Sequence, residues 1–139
     1  MKFENKEIER KEEKQILTFD TNAIIYSIQK KIDILETLHK KIRGIKSIVV
    51  IPSGIYDELE KIINSKKSSL SEKRNATIAL KIIKKWETDK KINVEKADPP
   101  LDRWFIKIAK KQKLSIVTYD KKLKQYLKRL GAQIIMLRD

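Results

Sequence analysis

The sequence contains no cysteine and a single histidine, His39, in 139 residues. The first absence removes disulfide staples and thiolate metal sites from consideration. The second argues against a histidine-based triad or zinc site and leaves His39 as a surface residue of a helix. Glycine occurs three times, widely scattered, so no glycine-rich loop is present to cradle a phosphate. Aromatic residues are 6% of the chain; Tyr26, Tyr56, Trp104 and Tyr119 could stack on bases, but core packing accounts for most of them. The longest apolar runs, such as Ile48–Ile51 and Ile134–Leu137, are strand-sized, against the roughly 20 residues needed to cross a bilayer. The first residues lack the apolar stretch of a secretory signal, so the expected location is cytoplasmic, without membrane attachment.

What the chain has in abundance is positive charge: 33 Lys and Arg against 19 Asp and Glu, a net +14. Residues 1–14 carry five of each sign, so the whole excess falls on residues 15–139. A Lys/Glu-rich solvated surface would explain many charges but not this imbalance. A basic excess concentrates polyanions, which makes nucleic acid the expected partner. Residues 1–14 have only Phe3 and Ile8 to bury and read as a charged extension. Residues 15–139, with apolar residues at 40% of the whole chain, are long enough for one domain with its own core.

Apolar strands alternate with helical spacing along that domain. Strands are predicted at Ile16–Phe19, Ile48–Ile51, Ile92–Val94, Leu114–Thr118 and Ile134–Leu137. Between them, helices are predicted over Ala23–Ile28 and Ile32–Ile42, through Ile55, Leu59, Ile62 and Ile63, from the Ser69–Glu72 capping box to about Trp86, over Leu101–Lys111, and through Leu123–Leu130 up to Gly131. Fully apolar strands separated by helices imply a parallel sheet covered on both faces, a three-layer α/β/α fold. Ligands of such folds sit beyond the carboxyl ends of the strands.

Two of those strands end alike, I-L-T-F-D at 16–20 and I-V-T-Y-D at 116–120. Asp20 and Asp120 each precede a helix, so capping alone would account for either one. Glu58 falls at the margin between the core face and solvent on the helix after Pro52, while Asp57 points nearly opposite the core. Asp102 falls within the apolar arc of Leu101, Trp104, Phe105, Ile106, Ile108 and Ala109, where an unpaired carboxylate needs a cation or a metal unless it caps the helix. Four carboxylates gathered at one sheet edge repel one another unless countercharge arrives. An all-oxygen ligand set suits Mg²⁺ or Mn²⁺, one or two ions, and two such ions can activate water and stabilise a leaving oxygen in phosphodiester hydrolysis. The basic residues Lys121, Lys122 and Lys124, with further clusters at Lys30–Lys31, Lys40–Arg43 and Lys107–Lys113, could track an RNA backbone.

The motifs D-T-N at Asp20–Asn22, I-P-S-x-x-x-D-E-L at Ile51–Leu59, the stretch Asp102–Ala109 and T-Y-D-K-K-L-K at Thr118–Lys124, taken in order, resemble the PIN domain. The run Asp20–Asp33 is similar to one branch in particular, the PIN nucleases of the small-subunit processome and their archaeal, VapC-like relatives. The resemblance implies a five-stranded parallel sheet in order 3-2-1-4-5 and a metal-dependent endoribonuclease. It also implies an acidic quartet Asp20, Glu58, Asp102 and Asp120 that binds metal and catalyses, supported by Asn22 and Thr118. Implied partners are RNA, a ribosomal RNA precursor above all, together with an antitoxin or a pre-ribosomal protein, or a second copy of the chain. The sequence departs from the pattern at Arg103, where a second acid is common, and at Tyr119. Arg103 is expected to pair with Asp102 or to contact phosphate. The departure keeps open a second reading, a non-catalytic PIN-shaped module that binds RNA in pre-ribosomes.

Overall fold

The β-branched and aliphatic runs become five parallel strands, β1 (Gln15–Phe19), β2 (Ser47–Pro52), β3 (Asn93–Glu95), β4 (Lys113–Val117) and β5 (Gln133–Ile134). This is a computed structural model that describes residues 15–42 and 46–137; the extension expected over 1–14 lies outside the described residues. Six helices connect the strands: α1 (Thr21–Lys30), α2 (Ile34–Lys41), α3 (Gly54–Asn64), α4 (Leu70–Thr88), α5 (Asp102–Lys111) and α6 (Lys121–Arg129). The strand order is β3-β2-β1-β4-β5, as the resemblance implied. None of the described helices is long and apolar enough to cross a membrane.

This order follows from how the chain moves across the sheet. It steps outward from β1 to β2 to β3, then crosses back over to β4 on the other side of β1. Right-handed crossovers made in opposite directions place their helices on opposite faces. In agreement, α4 packs on α3 and α1, while α5 packs on α6 and β4. The reversal between β1 and β4 opens a crevice at their carboxyl ends, the usual ligand position in such sheets. In register, Phe19 lies beside Val117, so Asp20 and Thr118 are the next residues out on adjacent strands.

Both faces bury aliphatic side chains, and Leu17, Phe19, Ile24, Ile51, Leu59, Ile83, Phe105 and Ile116 are among the most enclosed. The capping box at Ser69 and Glu72 is formed, each side chain accepting the other residue's backbone N–H. Gly131, at φ +90, ends α6 by donating to Lys128 while Ala132 donates to Leu127. The last strand is shorter than the apolar run Ile134–Leu137 suggested. Only Gln133 and Ile134 pair with β4; beyond them Ile135 N–H still bonds the Ile116 carbonyl at 2.8 Å, and Leu137 N–H donates to the Tyr119 hydroxyl at 3.2 Å. The apolar signal there reports burial of Ile135 and Leu137, not continued pairing.

One contact fixes how α3 and α5 approach each other. Gly54 N–H donates to the Ala97 carbonyl at 2.7 Å. The Ser53 hydroxyl, which caps no helix here, accepts from Ala97 N–H at 3.0 Å and donates to its carbonyl at 3.3 Å. A Cβ added at Gly54 would lie 2.5 Å from Leu101 Cδ2, 2.7 Å from the Ala97 carbonyl oxygen and 2.9 Å from Pro99 Cδ. Helix propensity alone would favour alanine at this position. Overpacking should win instead: Gly54→Ala is expected to lower stability by about 1–3 kcal/mol in urea unfolding. A variant at least as stable as the parent would show that the segment around Ala97 yields freely.

Candidate metal and nucleic-acid site

A cavity of about 480 Å³ opens at the carboxyl edge of the sheet, at the β1–β4 reversal. Its walls come from four segments. The end of β1 and the start of α1 give Asp20, Thr21 and Asn22; α3 gives Asp57, Glu58, Lys61 and Ile62. Pro99, Leu101, Asp102 and Phe105 come from the turn before α5 and from α5 itself, and Asp120 and Leu123 from the start of α6. All four carboxylates of the expected quartet therefore line one cavity.

Asp20 and Asp120 do cap their helices. Ala23 N–H donates to Asp20 Oδ1 at 2.8 Å, and Leu123 N–H donates to Asp120 Oδ1 at 3.1 Å. Capping occupies one oxygen of each carboxylate and aims the group at the cavity. Thr118, fully buried, joins the pair: its hydroxyl donates to Asp20 Oδ2 and accepts from Asp120 N–H at 3.2 Å. It stands behind the cavity wall rather than in it. Asn22 is exposed and lines the cavity directly.

Two residues that sequence reasoning passed over belong to the same wall. Thr21, nearly buried, donates its hydroxyl to Glu58 Oε1 and so ties the first turn of α1 to α3. Its place between Asp20 and Asn22 was the available signal. Lys61 follows Glu58 by one helical turn, and that spacing alone puts both on one side of α3. Asp57 also faces the cavity, although it lies opposite the core as its angular position predicts. The cavity runs along the flank of α3, and its lining stripe of 57, 58, 61 and 62 reaches round to that far side.

Asp102 departs from the reading of a carboxylate taken out of water. It is exposed, at the first position of α5, where no preceding turn covers it. Nor does it cap the helix, since Leu101 is the N-cap and no side chain bonds there. Its acid does lie where the helix dipole favours negative charge. Arg103 forms no ion pair with it; the ion pairs found among the described residues, Lys40–Glu36 and Lys85–Asp89, are elsewhere. Arg103 instead lines a separate concavity on the other side of Pro99. Lys121, Lys122 and Lys124 lie on α6 beyond the rim and do not line the cavity.

The group taken out of water is Asp20. Burial pushes its carboxyl above the ordinary value, and the nearby Asp120 and Glu58 carboxylates push the same way, while hydrogen bonds from Thr118 and Ala23 pull it back in part. Among the described residues, the second oxygens of Asp120 and Glu58 and the Asp102 carboxylate have no hydrogen-bonding or ionic partner. The described acids do not converge into a ready-made group of three or more metal ligands. The donor chemistry nevertheless fits a hard divalent cation: oxygen atoms only, several without partners, and a buried carboxyl held up by its neighbours.

A carboxyl whose pKa is raised by folding binds its proton more tightly in the folded chain. Without metal, its contribution to stability therefore falls as pH rises from its ordinary 3.8 through the raised folded value. Asp20→Asn keeps an oxygen for the Ala23 cap and carries no charge. In EDTA at pH 7 it should melt above the parent, with the gap closing in acid. Melting below the parent at pH 7 would mean that the Thr118 and Ala23 hydrogen bonds outweigh burial and repulsion.

Residues 17–139 match the family model described as a PIN like domain. The solved structure of the PIN domain endonuclease Utp24 is similar over 89% of this chain and 86% of its own, with 26% identity and a TM-score of 0.66. VapBC-1 from nontypeable Haemophilus influenzae aligns over 86% of this chain and 96% of its own, at 16% identity and a TM-score of 0.46, too distant to carry an argument. No curated protein matches the chain.

Proposed function

The chain belongs to the PIN-like domain family, and on that footing we propose that it is a divalent-metal-dependent endoribonuclease. The observation that carries this reading is the meeting of Asp20, Glu58, Asp102 and Asp120 on one cavity in a protein with a net charge of +14. Similarity to an endonuclease of the family supports the reaction class. The basic excess supports RNA as the polyanion brought to the acids. The motif likeness over Asp20–Asp33 favours a ribosomal RNA precursor as substrate over a toxin's target.

Asp20, Glu58 and Asp120 would hold Mg²⁺ or Mn²⁺, with Asp102 completing the set. When bound, such ions supply an activated water and neutralise charge on the leaving oxygen. The chain's own residues prepare the place. Thr118 fixes the Asp20 carboxylate with its second oxygen engaged, and Thr21 fixes Glu58. The two caps orient Asp20 directly after β1 and Asp120 directly before α6. Ile62, Leu101, Phe105 and Leu123 give the same cavity an apolar side. Asn22, exposed at the mouth, has amide donors for a phosphate or ribose oxygen. Lys121, Lys122 and Lys124 add cations beyond the rim, and Arg103 beside Asp102 adds another.

The test is cleavage of a labelled RNA in Mn²⁺. The parent should cut, EDTA should stop it, and Asp20→Asn or Asp120→Asn should each slow turnover by about 100-fold or more, on the scale of removing a positioned electrostatic group. Mn²⁺ should also raise the melting temperature of the parent and not that of Asp20→Asn. If both variants cut at the parental rate, the carboxylates are not the catalytic apparatus.

A further inference from the structure

Five carboxylates and a single lysine line the acidic cavity, so its walls alone cannot retain a polyanion. Cations outside it must hold the strand while one phosphodiester enters. The structure offers a continuation in one direction. Pro99 is a wall of the acidic cavity and also of a second cleft of about 340 Å³. α5 is the partition between them: Asp102 and Phe105 face the acids, and Arg103, Trp104 and Lys107 face the cleft.

We propose that the RNA strand passes over Pro99 into this second cleft, where Arg103 and Lys107 hold the phosphates flanking the scissile bond. The inference rests on the ribonuclease reading and adds to it the path of the substrate. Arg103 and Lys107 are exposed and one helical turn apart, so they present a cationic pair along one side of α5. Neither takes part in the ion pairs found among the described residues. Lys96 adds a third cation; with Glu95 and Asp98 also present, three cations face two acids, and the cleft stays net positive beside a cavity that is strongly negative. A guanidinium can grip a phosphate through two parallel N–H bonds, which a solvated lysine on an open helix face cannot do. The α6 lysines, by contrast, line neither concavity. An arginine directly after Asp102, in place of a further acid, thereby acquires a role: it turns the strand away from the carboxylates as soon as it has passed them.

The full chain can be tested by binding a fluorescent single-stranded oligoribonucleotide over a salt series without divalent metal, and by KM and kcat in Mn²⁺. Arg103→Ala with Lys107→Ala should weaken binding about 10-fold and reduce the slope of log affinity against log salt by about 1.4, as for two lost contacts on a single strand. KM should rise with kcat largely kept. Arg103→Lys with Lys107→Arg should restore the slope, and Lys121→Ala with Lys122→Ala should alter it less. Parental affinity and slope in the double alanine variant would overturn the proposal, as would a loss confined to the Lys121 and Lys122 variant. Should the parent bind RNA but not cut it, the ribonuclease reading falls while the slopes still judge the cleft. A parent that binds no RNA overturns both.

Discussion

A single buried hydroxyl, that of Thr118, holds the carboxyl edge of the sheet together. It donates a hydrogen bond to Asp20 just after β1 and accepts one from the backbone N–H of Asp120 at the start of α6. β1 and β4 are the two strands between which the chain reverses direction, and just past their last backbone bond, Asp20 N–H to the Val117 carbonyl at 3.3 Å, the hydroxyl bridges them. Without that hydroxyl, a buried carboxylate would face a neighbouring one with one fewer partner, at a cost of about 1–3 kcal/mol. The rest of the acidic wall is built outward from this junction: Asp20 starts α1, Thr21 on α1 holds Glu58, and Asp120 starts α6.

The opposite wall depends on packing. Asp102 is not hydrogen-bonded into place; it is carried by the turn that Ser53 and Gly54 clasp through Ala97. The Ser53 hydroxyl and the Gly54 backbone, between β2 and α3, thus set where α5 begins. One wall is fixed by side-chain hydrogen bonds to the acids themselves, and the other by a hydrogen-bonded clasp whose close approach needs glycine. The acids are in this way held near one another, and burial, with a smaller push from Asp120 and Glu58, keeps the pKa of Asp20 raised. A protein selected for stability alone would not keep such an arrangement.

Much of this was legible in the residues. The parallel sheet covered on both faces and the aspartates placed after two of its strands follow from apolar runs and their spacing, while the strand order was implied by the motif resemblance alone. What could not be read were facts of tertiary closeness. Asp102 falls inside an apolar arc on a helical wheel, yet a wheel does not record that a first-turn residue has no turn above it. Asp57 points away from the core, and no periodicity tells that a cavity wraps round to meet it. Thr21 is silent in sequence because a hydroxyl next to a motif acid has many bland uses; only the fold brings Glu58 to it. The apolar tail Ile134–Leu137 was read as strand because burial and pairing leave the same mark on composition.

The double service of Asp20 and Asp120 has a bearing on how related chains should be judged. Each caps a helix as well as facing the cavity, so a descendant that had abandoned chemistry would still favour a capping residue, aspartate or asparagine, at both positions. A capping residue at either position in a relative therefore says little about whether it cuts anything. Glu58 and Asp102 cap no helix. It is at those two positions that a silent, merely scaffolding cousin would first give itself away.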